Sequence, residues 1–154
     1  VLVACAFQMG GILAETSIEN QKKLYEFGQN LGIAFQIQDD LLDVYGDPKS
    51  FGKQIGGDII ENKKTFLYLK ALELASENDK NQLKHLFSIQ PKNTSAKIET
   101  VKHLYNTYDI KTVASKRIED YTNLALAAVE QLQLNAKKKA VLYDFSKELM
   151  YRKI

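Results

Sequence analysis

The chain has 154 residues, enough for one hydrophobic core of ordinary size. Lys and Arg number 21 against 19 Asp and Glu, a net charge of +2 that gives no case for a nucleic-acid partner. The single cysteine, Cys5, excludes an internal disulfide framework and points to a reducing, cytoplasmic compartment.

In chain order, residues 1–14 read VLVACAFQMGGILA, an apolar helix predicted to end around Gly10-Gly11. The run is too short to span a bilayer and lacks the basic stretch of a signal peptide, so no integral membrane segment is expected. Residues 18–45 form one long helix with Leu24, Phe27, Leu31, Phe35 and Leu42 as packing positions. Gly46-Asp47-Pro48 breaks it, and a loop of about ten residues follows. Helices are predicted near 62–76 and 79–88, the second capped by Asn78 and stopped before Pro91. Another covers 95–107. In the next, 110–134, Ile110, Val113, Ala114, Ile118, Tyr121, Leu124, Ala125, Ala128 and Leu132 form a helical stripe. The last spans 136–152, with Lys137, Lys138 and Lys139 on a solvated face. Without strand alternation, repeats or a linker, residues 1–154 read as a single all-α domain, a helical bundle.

The chemistry concentrates on the long helix. Gln36, Asp39, Asp40 and Asp43 stand at i, i+3, i+4 and i+7, within one narrow arc of a helix that turns about 100° per residue. The stretch before them, FGQNLGIAFQIQ, is uncharged and apolar nearly all round, the pattern of a helix inside a bundle. Carboxylates on such a helix are costly unless a positive group meets them. All-oxygen donors point to Mg²⁺ or Mn²⁺ rather than zinc, and the helical spacing does not fit a calcium loop. The loop beyond supplies Gly52-Lys53, then Gly56-Gly57-Asp58, then Lys63-Lys64-Thr65. Lysines bind phosphate oxygens as point charges, and Mg²⁺ keeps coordination positions that those oxygens fill. The pattern suits a metal-bridged diphosphate.

FQIQDDLLDVYGDPKSFGKQIGGDIIENKKT resembles the second aspartate-rich region of the trans-prenyltransferases, the farnesyl, geranylgeranyl and longer polyprenyl diphosphate synthases. That family's pattern runs FQ-x-x-DD-x-x-D, GK, G-x-D, GK-x-T, and the one visible departure is Asn62 in place of the last glycine. The resemblance implies the C-terminal portion of the isoprenoid synthase fold. It also exposes an absence: there is no second DDxxD, no Arg-Arg pair, and only two arginines, Arg117 and Arg152. With Val1 rather than Met at its start, the chain is expected to be a C-terminal half, inactive alone and part of a homodimer when complete.

The reaction implied joins an allylic diphosphate to isopentenyl diphosphate. Asp39 is the foremost candidate for direct Mg²⁺ ligation, with Asp40 and Asp43 ligating directly or through water. Asp58 would orient metal-bound water or Lys53. Lys53 would neutralise the leaving oxygens, and Lys63 is a weaker candidate for that task. Gln36 would face the reacting carbons, and Phe35, Gly28 and Gly32 either line the hydrocarbon channel or pack the core. Arg152 reads as a solvated tail residue. A terpene cyclase fits less well, because it would carry an N-D-x-x-S/T-x-x-x-E set here. The alternative is a non-catalytic subunit or binding protein derived from the same family.

Overall fold

The computed structural model describes residues 1–47 and 55–150, and among them there are eight helices and no strand. They are α1 (Leu2–Leu13), α2 (Ile18–Tyr45), α3 (Gly57–Ile60), α4 (Phe66–Leu74), α5 (Glu77–Leu86), α6 (Thr94–Thr107), α7 (Ile110–Glu130) and α8 (Ala136–Met150). The all-α expectation holds. No helix among the described residues is long and apolar enough to cross a membrane.

Most differences from the predicted elements have local causes. α1 runs through Gly10-Gly11 instead of ending there. The end comes at Ala14–Thr16, where Glu15 turns to φ 51° and both the amide and the hydroxyl of Thr16 donate to Gly11 O. α4 starts only at Phe66, because Asn62 takes a left-handed φ of 58° and Thr65 caps the new helix by accepting from Tyr68 N. Ser76, rather than Asn78, caps α5: its backbone is extended and its Oγ accepts from Asp79 N at 3.3 Å. α7 stops at Glu130, and Leu124 in its predicted stripe is exposed.

Among the described residues the chain forms two compact units, one of Val1–Gln36 with residues 116–150, the other of Ile37–Ser115. In the first, Leu24, Phe27 and Leu31 of α2 pack with Ala125, Ala128 and Val129 of α7 and with Leu132. Phe7 meets the Phe27 ring edge-on at 4.7 Å. Near the start of α2, the Asn20 carboxamide oxygen accepts the amide of Gln133 at 2.8 Å. Gly28 sits where α1 crosses α2: a Cβ there would stand 2.8 Å from both Ala4 Cα and Val3 O. One at Gly32 would meet Val3 at 3.3 Å. Both glycines therefore serve packing between the helices rather than a channel wall. Phe35 is half-buried, unlike the other predicted packing positions of α2.

In the second unit Leu41, Leu42 and Val44 at the end of α2 are buried, as are Leu67, Leu83, Val101 and Tyr105. Each fully buried Leu is worth about 1.5–3 kcal/mol against exposure. Tyr68 of α4 lies against Phe87, ring centroids 4.2 Å apart. Hydrogen bonds from Asp58 N and Phe66 N hold the aspartate end of α2 against α3 and α4.

Candidate functional site: an aspartate cluster at the end of α2

Four side chains of equal promise in the sequence meet four different surroundings. Gln36 is exposed, Asp39 and Asp43 are half-buried, and Asp40 is 7% exposed. Asp40 is turned toward α4, where its Oδ2 accepts the N–H of Phe66 at 3.2 Å. That donor heads α4 and has no partner within its helix, so Asp40 satisfies it.

Asp43 does two jobs. Its backbone carbonyl accepts from Gly56 N at 2.7 Å, and its Oδ2 accepts from Asp58 N at 3.1 Å. Burial pushes the Asp43 carboxyl above the ordinary carboxylate range, and the neighbouring Asp58 charge pushes the same way. The Asp58 amide and the Lys63 ammonium pull it back in part. A carboxylate held high by burial and a like charge is stabilised by an arriving cation. Gly56 makes the approach possible: its φ of 77° is left-handed, and a Cβ there would press on Ile98 at 3.0 Å.

Lys63 donates to Asp58 Oδ1 at 2.8 Å and lies 2.9 Å from Glu61 Oε2. These bonds, first that to Asp58, raise its ammonium above the usual lysine range. Asp58, expected to orient metal-bound water or Lys53, is joined here to Lys63. Lys53 and Arg152 lie outside the described residues. Among the described residues no group of three acidic, His or Cys side chains is placed to hold a metal by itself. The expected convergence of Asp39, Asp40 and Asp43 is therefore not present as a closed cage. What the geometry offers is Asp43 with Asp58 beside it and Asp39 about one helical turn earlier, hard oxygen donors that leave coordination positions to a ligand.

Two further residues belong to this neighbourhood. Asn62 forms the corner between α3 and α4, and Lys97 of α6 bonds to its side chain. Asn62 carried a signal, the departure from glycine. Lys97 carried none, since a lysine in a mixed helix reads as surface.

A family profile described as polyprenyl synthetase matches residues 1–107. The geranylgeranyl diphosphate synthase of Saccharolobus solfataricus is 47% identical over 83 residues, which are 54% of this chain and 25% of that one. The crystal structure of a geranylgeranyl pyrophosphate synthase superposes with a TM-score of 0.87 at 43% identity, covering all of this chain and 48% of the other. A Corynebacterium glutamicum geranylgeranyl pyrophosphate synthase, complexed with isoprenyl diphosphate and magnesium, gives 0.79 at 27% identity over 91% of this chain and 40% of that one. The chain spans less than half of each of these relatives. With 107 of its 154 residues matched by the profile and a like fold throughout, this chain belongs to the polyprenyl synthetase family.

Proposed function

We propose that this chain is the C-terminal half of a prenyl diphosphate synthase. The complete enzyme condenses an allylic diphosphate with isopentenyl diphosphate, is a homodimer, and works in the cytoplasm. The observation that carries the reading is the Asp43–Asp58 pair, two carboxylates drawn together by a backbone hydrogen bond at the end of a helix that also bears Asp39. Family membership and the short coverage of the relatives support the rest. The exposed apolar face of α1, with Leu2, Met9, Ile12 and Leu13, is of the kind that packs against further helices.

Asp39 and Asp43 would hold Mg²⁺, or Mn²⁺ in its place, with Asp58 steadying Asp43 and its bound water. When bound, the metal supplies charge neutralisation on the departing diphosphate. Lys53, which follows Gly52 in the sequence, would add a second positive charge to the same oxygens, with Lys63 a reserve that must first leave Asp58. Gln36, exposed on α2, would present its amide oxygen to positive charge developing on the allylic carbon. The double bond of isopentenyl diphosphate then forms the new carbon–carbon bond, and loss of a proton completes the product. No protein nucleophile takes part, and the site must keep water away from the cation.

The test is product formation. The complete enzyme, incubated with geranyl diphosphate, isopentenyl diphosphate and Mg²⁺, should yield longer prenyl alcohols after phosphatase treatment. The 154-residue chain alone should yield none. A complete enzyme that binds the substrates and elongates nothing would overturn the reading in favour of a non-catalytic subunit.

A further inference from the structure

Lys97 is 3% exposed, yet its described partners are neutral oxygens and a ring face instead of a carboxylate. Its ammonium donates to Asn62 Oδ1 and, at 3.1 Å, to Ile89 O, and stands 5.6 Å over the Phe87 ring. A buried ammonium in such surroundings is costly, and burial draws it below the usual lysine range. Replacing a buried charge by an apolar residue of similar size is often neutral or stabilising. The lysine is therefore a poor choice if packing is its only task.

Its partner shows what else it does. Asn62 holds a left-handed corner that asparagine tolerates better than most residues. Its Nδ2 donates to Ile89 O at 3.2 Å, so Asn62, Lys97 and Ile89 close a small network. Six residues earlier, the left-handed corner at Gly56 rests on Ile98. The two ends of α3 thus sit on consecutive residues in the first turns of α6. Between them lies Asp58, with its amide on Asp43 and its carboxylate on Lys63.

We propose that Lys97 is a positioning residue, which through Asn62 clamps the corner between α3 and α4 and so holds Asp58 in register with Asp43. The inference rests on the prenyl-diphosphate reading above and adds to it a residue that touches neither metal nor substrate. In the family pattern a glycine stands at the corner; here a side chain replaces that freedom with a bond into α6. Slack at residue 62 would pass to Asp58 through Lys63 N, which donates to Asp58 O at 2.9 Å.

Lys97→Met and Asn62→Gly in the complete enzyme test this. Lys97→Met keeps the apolar volume, and Asn62→Gly keeps the left-handed corner while removing its side chain. Two quantities are read: the Mg²⁺ midpoint of the initial rate, and the Mg²⁺ concentration giving half the rise in Tm in the presence of inorganic pyrophosphate. Loss of a hydrogen bond to a charged group should move both midpoints up by about 5- to 10-fold in each variant, with kcat at saturating Mg²⁺ down by less than ~3-fold. The double variant should be no worse than the worse single one, and Asn62→Asp, which still accepts from Lys97, should lie near wild type. Midpoints within about 2-fold of wild type in both variants would overturn the proposal, whatever happens to Tm. If Lys97→Met does not fold, Asn62→Gly decides alone. A wild-type enzyme whose Tm ignores Mg²⁺ and pyrophosphate and which elongates nothing would sink the underlying reading and this one together. Unmoved variants of a responsive enzyme sink this one only.

Discussion

Asp43 Oδ2 accepts the backbone N–H of Asp58 at 3.1 Å, a bond across 15 residues that brings a second carboxylate beside the first. Burial, reinforced by that second charge, raises the Asp43 carboxyl. The folded chain then binds this proton more readily than the unfolded chain does. Between the ordinary carboxylate pKa and the raised one, stability falls as pH rises, and above the raised value the loss is complete. Asp43→Asn removes the penalty while keeping an acceptor for Asp58 N. Without metal, the variant should melt higher than wild type at neutral pH. The gain should vanish once the pH drops below the ordinary carboxylate range. In the complete enzyme the same change should lower kcat, though by less than Asp39→Asn does. A lower melting point at neutral pH would mean that the hydrogen bond outweighs burial.

Asp39 and Asp40 are neighbours in sequence, and Asp40 has a structural partner at the head of α4. Asp40→Ala leaves the Phe66 N–H at the head of α4 without its acceptor, which should cost about 1–2 kcal/mol. That loss should appear as a lower Tm, with the Mg²⁺ midpoint of the complete enzyme nearly unmoved. Asp39→Asn should raise the Mg²⁺ midpoint by an order of magnitude or more. Thermal melts and Mg²⁺ titrations of both variants, side by side, check the division. A shared shift in Mg²⁺ midpoint would make Asp40 a ligand after all.

The two loop lysines should separate by kinetics. Lys63 is bonded to Asp58 and Glu61 on a side chain that is 54% exposed, so Lys63→Gln should lower kcat/KM by less than about 10-fold. For Lys53, a positive charge meeting a leaving diphosphate in a dry site contributes ~3–4 kcal/mol, two to three orders of magnitude in kcat/KM. Lys53→Arg should restore only part of that. Equal effects of the two Gln variants would show that the loop does not hold diphosphate through Lys53.

Gly28→Ala poses a contest of magnitudes. Alanine gains about 1 kcal/mol over glycine inside a helix. The new methyl group, however, would lie 2.8 Å from Ala4 Cα and from Val3 O, backbone atoms that move only with α1 itself. Overpacking of this kind costs about 1–3 kcal/mol, so the net effect should be a loss and a Tm lower by several degrees. Gly10→Ala is the control: nothing lies within 4 Å of its would-be Cβ, and it should melt at or above wild type.

α2 was legible to its residue bounds because 28 residues of sustained periodicity leave little freedom in assignment. The aspartates on it were legible as a motif, whereas the left-handed corner at Asn62 was not: the sequence reads as helix from residue 62, and the departure from glycine marks the position without giving its backbone conformation. The division of labour among those aspartates was not legible either. Asp40 and Asp43 look alike along the helix, and only the arrival of Phe66 and Asp58 from distant positions tells one from the other. α3 escaped because one turn of four residues has no period to detect. Lys97 escaped because burial of its ammonium depends on Ile89 and Phe87, which no local pattern connects to it.

The bond from Gln133 to Asn20 spans 113 residues, and it belongs to a unit assembled from both ends of the chain. The unit of Ile37–Ser115 is contiguous. During synthesis from the N-terminus, everything that the contiguous unit needs emerges before α7 is complete, whereas α1 and the first half of α2 must wait for their partners. Through that interval Phe27 and Leu31, which end fully buried, lack their partners Ala125, Ala128 and Val129. Closing so long a loop is slow relative to local pairing, and uncovered apolar helices in waiting are where aggregation starts. The order of synthesis thus leaves residues 1–36 waiting for partners that emerge last, while the segment that carries the aspartates has the whole of its unit at hand.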